Sequence, residues 1–346
     1  MDKCVGTIPK VEILRKRNLG RYLCEVNLIV SLDRMKKAEK SKPKVSVVIP
    51  TLNRKDAVIE NIRSIKKSYC PNFEILEIIL VDNASTDGTD KIVKKVFPDV
   101  KVIRNERNLG GTGGRNVGMR RIDKSSDYLL FLDDDNILGR KAIFEMVKAI
   151  QGVKEYGAAA PKVLYSDNPK IVQVAGATVS LWTGVNYMNN GPDDGRFDKF
   201  TETGSFACVG LVKMEVVRKV GLHDESYFFL YEDIDYSIRI KQAGYKILYV
   251  PTSRVLHKVP LLDKEKGTKR WLLRSYWVAR NKIVFMGKHS RSFLFFMLIY
   301  PAYLALYTYK AVRYGDLKAL FNFYKGTYDG FRWTFFDFLQ RIKPNE

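Results

Sequence analysis

Residues Tyr128 to Ile137 read Y-L-L-F-L-D-D-D-N-I, an apolar and aromatic run that drives straight into Asp133, Asp134 and Asp135. A short continuous run of this kind suits a strand buried on both faces. Three adjacent carboxylates at its carboxyl end concentrate negative charge where open α/β sheets keep their ligands. Such neighbours disfavour one another's ionised forms unless a cation compensates. Side chains alternate along an extended backbone, so Asp133 and Asp135 should project to one side and share a hard divalent ion, with Asp134 pointing elsewhere. The plain alternative for a lone D-x-D is a solvated acidic turn.

Upstream of this strand the sequence lays down three β-loop-α units. Val45 to Ile49 is a β-branched strand closed by Pro50-Thr51-Leu52-Asn53-Arg54, with Val58, Ile62 and Ile65 at helical spacing after it. Ile75 to Val81 is the second strand, Asp82 to Gly88 its loop, and Thr89 to Phe97 its helix. Val100 to Ile103 is the third, followed by a glycine-rich loop over 108–114 and a helix over 115–122. Downstream, Arg140 to Ile150 is helical. Strands alternating with short helices predict an α/β fold with a doubly wound, mostly parallel sheet whose strand-end loops face one crevice.

Beyond Gly157 the pattern turns to strands over 158–165, 171–179 and 206–214, with a polar loop around 189–204 that reads as a mobile lid. The aromatic run Tyr227 to Tyr231 then leads into Glu232, Asp233 and Asp235 at the start of a helix ended by Gly244. Lys246 to Val250 is one more strand before Pro251, and His257 lies a few residues beyond.

The net charge of +21 on 346 residues is unevenly placed. Residues 1–44 carry 12 basic and 5 acidic side chains, residues 264–346 carry 16 and 5, and the centre carries 31 and 28. Basic ends around a near-neutral core point to surfaces that meet something anionic, whether membrane phosphate, nucleic acid or a phosphorylated substrate. The acidic triplet and the lack of any nucleic-acid module argue against nucleic acid. The four cysteines match no zinc or C-x-x-C spacing, and the basic N-terminus lacks the apolar core of a signal peptide, so a reduced cytoplasmic setting is expected. Three regions follow: an accessory segment and basic linker over 1–44, a catalytic domain over 45–260, and a basic, aromatic helical region over 261–346. In the last, Phe293 to Tyr309 is uncharged for 17 residues. That is the short edge of the roughly 17 to 25 residues a bilayer span needs. Anchoring in an anionic membrane surface, a span, or a helical cover for the core all fit.

Taken in order, V-S-V-V-I-P-T-L-N-R, V-D-N-A-S-T-D-G-T, N-L-G-G-T-G-G-R-N-V-G, F-L-D-D-D, Y-E-D-I-D-Y-S-I-R and L-H-K resemble glycosyltransferase family 2 over residues 45 to about 260. The later R-S-Y-W-V-A-R-N resembles its rhamnosyl- and galactofuranosyltransferase branch. The resemblance implies a GT-A fold, a UDP- or dTDP-sugar donor, Mn2+ or Mg2+ as cofactor, inversion at the anomeric carbon, and a glycan or glycolipid acceptor. It makes Asp133, Asp135 and His257 metal ligands, and Asp233 the base, with Glu232 as a second acid. It sets Thr51, Asn53, Arg54 and Asp82 against base and ribose, and Gly114, Arg115 and Asp134 about the rest of the nucleotide sugar. Each role has its chemistry: a cation offsets the diphosphate charge, and a carboxylate within hydrogen-bond reach activates an acceptor hydroxyl. The Lys-Ser/Thr of a phosphate-binding P-loop is missing after the glycines. A haloacid-dehalogenase-like phosphatase fits poorly, because its acidic strand opens the domain and here three units precede it. A binding-only relative would not need all four of Asp133, Asp135, Asp233 and His257.

Overall fold

The computed structural model describes residues 42–261 and 264–342. The accessory segment expected over 1–44 lies outside the described residues except for its last three, as do Cys4 and Cys24.

Strand β1 (Lys44–Thr51) explains why the first apolar run is continuous. Val45, Val47 and Ile49 enter one core layer and Val48 the other, all fully buried. β2 (Glu74–Asp82) and β4 (Tyr128–Leu132) do the same, with Leu130 and Leu132 on one side and Leu129 and Phe131 on the other. β1 lies parallel between β2 and β4, and β3 (Lys101–Arg104) extends the sheet beyond β2. Helices α1 (Lys55–Lys66) and α2 (Thr89–Val96) cover the first layer, and α3 (Gly110–Met119) covers the second.

Past the acidic triplet the chain makes a short strand, β5 (Asn136–Leu138), before helix α4 (Ala142–Ile150). β6 (Tyr156–Tyr165), β7 (Ile171–Val174) and β12 (Val209–Lys213) complete a mixed sheet, with β12 antiparallel to β4. The single strand expected over 171–179 breaks at Gly176 (φ +80°), so β8 (Ala177–Val179) instead pairs with β9 (Asn186–Met188). The stretch read as a lid also holds structure: β10 (Gly191–Pro192) pairs with β7, and β11 (Thr201–Thr203) pairs with β13 (Lys246–His257). Asp193 and Asp198 between them grip the buried Lys162 ammonium, which ties the loop down.

Two corrections matter for the site. The glycine run 110–114 is the first turns of α3, because packing overrides glycine's poor helix propensity. A Cβ on Gly118 would sit 2.5 Å from Val48 Cγ1, and one on Gly114 would sit 2.8 Å from Asn83 Nδ2. The last core strand does not stop at Pro251 either. The register of β13 on β6 jumps between Val250 and Arg254, so Pro251 falls in a bulge where its missing N–H leaves no gap in the ladder.

Helices α5 (Met214–Val220) and α6 (Glu232–Gln242) lie on the second layer. α7 (Lys264–Leu272) leads into α8 (Ser275–His289), whose Ile283 to Met286 are fully buried with Tyr227 and against Ile234 and Ile238. α9 (Phe293–Arg313) contains the uncharged segment with Pro301 inside it, and α10 (Leu317–Ile342) packs on α8 and α9.

Candidate active site

The carboxyl ends of β1, β4 and β13 meet the start of the antiparallel β12 at one end of the strands. A cavity of about 780 Å³ opens there. Thr51, Arg54, Arg115, Asp133, Asp134, Asp135, Glu232, Asp233 and His257 all line it. Asn53, Asp82 and Gly114 do not. Asn53, at φ +53°, ties two loops together by accepting from the Thr86 N–H at 2.7 Å and donating its own N–H to Ser85 Oγ at 2.9 Å. Asp82 is fully buried, with one oxygen on the Arg104 guanidinium and the other accepting from the Ser85 N–H at 3.0 Å. Gly114 is a packing glycine, and Gly110 and Gly111 of the same run line the cavity instead.

The acidic triplet departs from extended geometry directly after β4, where the Asn136 N–H reaches back to the Asp133 carbonyl at 3.3 Å. The alternation expected of Asp133 and Asp135 is therefore lost, and the two carboxylates take separate partners. Asp133 Oδ1 accepts from Arg115 at 2.5 Å. Asp135 Oδ2 accepts from Arg54 at 2.5 Å, and its Oδ1 is 3.1 Å from His257 Nε2. Asp134 faces the cavity rather than pointing elsewhere and accepts from Thr51 Oγ1 at 2.6 Å. Asn61, buried in α1, fastens this turn by donating to the carbonyls of Asp133 (3.0 Å) and Asn136 (2.6 Å).

Arg115 is the hub of the floor. Its buried guanidinium touches Asp133 on one side and Glu232 and Asp233, each at 3.2 Å, on the other. Asp233 Oδ2 also accepts from the Cys208 N–H at 3.0 Å, which fixes its orientation. Asp235 points away, fully buried against Arg239 and His289, so helix geometry sends only Glu232 and Asp233 to the cavity. Strain gathers around these acids: Cys208, Leu230 and Tyr231 all hold φ between +50° and +73°, a region non-glycine residues seldom adopt.

Burial raises Asp133 to about 6 against the pull of Arg115, and raises Asp134 to about 7 against its Thr51 hydrogen bond and Arg54. Burial and then Asp233 push Glu232 up to about 7. Asp135 goes the other way, because His257 and Arg54 outweigh its burial and hold it below the usual carboxylate range. Among the described residues, no group of three or more His, Cys, Asp or Glu side chains is assembled as a metal site. The pair formed by Asp135 and His257 still suits a hard cation. Gln173 Oε1 lies 2.8 Å from His257 Nδ1 and, as a carbonyl oxygen, accepts the proton there. Nε2 then faces Asp135 Oδ1 at 3.1 Å, where either a second ring proton or a bound cation would offset the carboxylate charge.

Residues 46–221 match the family profile described as glycosyl transferase family 2. The chain belongs to glycosyltransferase family 2. It is 24% identical over 254 residues to the probable glycosyltransferase YdaM of Bacillus subtilis, covering 71% of this chain and 57% of that protein. It is 27% identical over 205 residues to the N-acetylglucosaminyl-diphospho-decaprenol L-rhamnosyltransferase of Mycobacterium tuberculosis, covering 53% and 66%. The chain thus spans less than two thirds of these curated relatives. Among solved structures, it superposes on the mannosyltransferase PcManGT from Pyrobaculum calidifontis in complex with GDP-Man and Mn2+ with a TM-score of 0.52, at 17% identity over 86% of this chain and 81% of that one. For GalNAc-T7 with UDP, GalNAc and Mn2+ the TM-score is 0.54, at 22% identity over 70% and 51%. The fold of this family 2 member is therefore GT-A.

The family motifs do not single out Asn61, Gln173 or Cys208. Gln173 had a signal, as the one polar residue in the apolar strand I-V-Q-V, and so did Asn61, on the buried face of α1 beside Val58 and Ile62. Cys208 acts through its backbone and left none.

Proposed function

We propose that this family 2 member is an inverting, divalent-cation-dependent glycosyltransferase that moves a sugar from a UDP- or dTDP-sugar to a hydroxyl of a lipid-linked or cell-envelope glycan. The observation that carries the reading is the convergence of Asp135 with His257, and of Glu232 with Asp233, on one cavity at the carboxyl ends of the central strands.

In the reaction the acceptor hydroxyl oxygen attacks the anomeric carbon, the bond from that carbon to the diphosphate oxygen breaks, and the hydroxyl proton passes to Asp233. A single displacement inverts the anomeric centre. The Cys208 N–H and Arg115 hold the Asp233 carboxylate in place for this transfer. Asp135 and His257, with Asp133 nearby, would hold Mn2+ or Mg2+, whose charge would offset that of the leaving diphosphate. Thr51 and Asp134, joined by their hydrogen bond, form the wall against which base and ribose would rest.

The rhamnosyltransferase relative is named for a diphospho-decaprenol acceptor, which supports a lipid-linked acceptor here. A membrane location fits the basic C-terminal region and α9, the one helix among the described residues long and apolar enough to cross a bilayer by length and composition. The inner face of the cell membrane is the corresponding site in the cell.

Screening nucleotide sugars for Mn2+-dependent turnover tests the reading. Asp233→Asn should lower kcat by about 100- to 10,000-fold with donor binding retained. Asp135→Ala should abolish the metal response, and a fully active Asp135→Ala protein would remove the metal from the mechanism.

A further inference from the structure

Four guanidiniums line the cavity. Arg54 and Arg115 are tied to its carboxylates. Arg270 and Arg274 come from another part of the chain, the last turn of α7 and the residue that opens α8, well beyond the stretch that matches the family profile. Neither has a carboxylate partner among the described residues. Arg274 instead rests its guanidinium on the Phe229 ring, 5.2 Å from its centroid. Its guanidinium donates no hydrogen bond among the described residues, so its forked N–H donors are open to an oxyanion.

These two arginines are also close enough to suffer from each other. Burial first, then the like charges of Arg270 and Arg54, push Arg274 below its ordinary value, with Asp135 opposing. Positive charge of this kind, half-buried and facing a cavity, is relieved when an anion binds. Which anion follows from the neighbours. The pair lies on the same cavity as Asp135 and His257, so an incoming group must satisfy two guanidinium forks and a cation site together. One carboxylate has too few oxygens for that, whereas a diphosphate has enough.

We propose that Arg270 and Arg274 form a diphosphate-binding pair that grips the leaving group of the sugar donor from the C-terminal helices. The proposal rests on the donor reading above and adds to it the residues that take up the diphosphate charge.

Calorimetric titration of the full chain in Mn2+ with inorganic pyrophosphate, UDP, dTDP and UMP tests it. In the R270A/R274A double variant, pyrophosphate and the nucleoside diphosphate should bind about 10- to 100-fold more weakly, the loss of two charge-assisted contacts, while UMP changes little. Arg274→Lys, which keeps the charge without the fork, should fall between the two. The thermal midpoint of the unliganded double variant should not drop, since a repulsion is relieved, and Arg274→Gln serves as the second variant if alanine perturbs folding. Equal affinity of wild type and variant for pyrophosphate and UDP overturns the pair as a diphosphate site while leaving the donor reading intact. Loss of pyrophosphate binding with UDP binding unchanged overturns its assignment to the donor. Loss of pyrophosphate binding in a protein whose wild type takes no nucleoside diphosphate upholds the anion pair and refutes the donor reading.

Discussion

Glu232 holds a costly charge on the cavity floor. One carboxylate oxygen meets Arg115, the other is buried without a hydrogen-bond partner, and Asp233 stands beside it. Three carboxylates around one guanidinium leave the floor short of positive charge. Because the folded-state value of about 7 lies above the ordinary carboxyl value, the folded protein binds more protons than the unfolded chain in the window between them. The stability tied to this group is therefore fully present at low pH and lost as the pH rises through about 7. Glu232→Gln keeps the shape and removes the charge, so it should stabilise the protein by about 1–3 kcal/mol at pH 8 and by almost nothing near the unfolded value. Thermal melts of both proteins across that range check this, and a pH-independent difference would count against it. The same variant should lose activity if Glu232 assists Asp233, the pattern expected where a strained charge serves the reaction.

At the scale of elements, α8 does for α6 what the β-sheet does for the acidic triplet. Asn281, fully buried, donates to the carbonyls of Phe229 and Leu230 at 2.7 and 3.0 Å, and Arg280 donates to the Ser226 carbonyl at 2.8 Å. These contacts hold the positive-φ residues Leu230 and Tyr231 that swing Glu232 and Asp233 towards Arg115. Asn281→Ala leaves two carbonyls short of a donor, at a cost of about 1–3 kcal/mol. It should lower kcat by more than tenfold while UDP affinity stays within twofold, roughly the signature of a lost orientation rather than a lost binding contact. An unchanged kcat would reduce α8 to a cover. The motif R-S-Y-W-V-A-R-N contains Arg280 and Asn281, but what they reach was not legible, since Asn281 and Phe229 are 52 residues apart and no periodicity links them. What was legible was local: the two-sided strands β1, β2 and β4, the acids at the end of β4, and the helix opened by Glu232. Where the reading failed, a distant contact decided, as with the glycine run 110–114, read as a loop but helical because Gly114 packs on Asn83 and Pro50, just as Gly118 further along packs α3 on Val48 and Val81. Gly118→Ala would force those layers apart, and a loss of about 1–3 kcal/mol in denaturant unfolding is expected.

The whole molecule is asymmetric in charge and in polarity. The C-terminal region has a net charge of +11 from residue 264 onward, and its last two helices leave large apolar side chains in the open: Leu294 and Leu298 on α9, and Phe321, Tyr328, Phe335 and Phe338 on α10. Only 17% of the most apolar window of α9 is buried, while Phe296, Tyr300 and Tyr307 anchor its other side to α8 and α10. A helix fastened along one side and apolar on the other is consistent with the membrane location proposed above, and the basic residues around it would favour an anionic surface. The protein should therefore co-float with phosphatidylglycerol vesicles, less well with phosphatidylcholine alone, and less well again in high salt. Removing everything after residue 260 is the wrong way to test this, because it also removes the Asn281 contacts and would silence the active site for a separate reason. Replacing Phe335, Phe336 and Phe338 by serine touches only exposed positions, so it should release the protein from vesicles while UDP binding and thermal stability stay as they were. Unaltered flotation of that variant would move the contact elsewhere, and flotation insensitive to lipid charge would take the basic residues out of it.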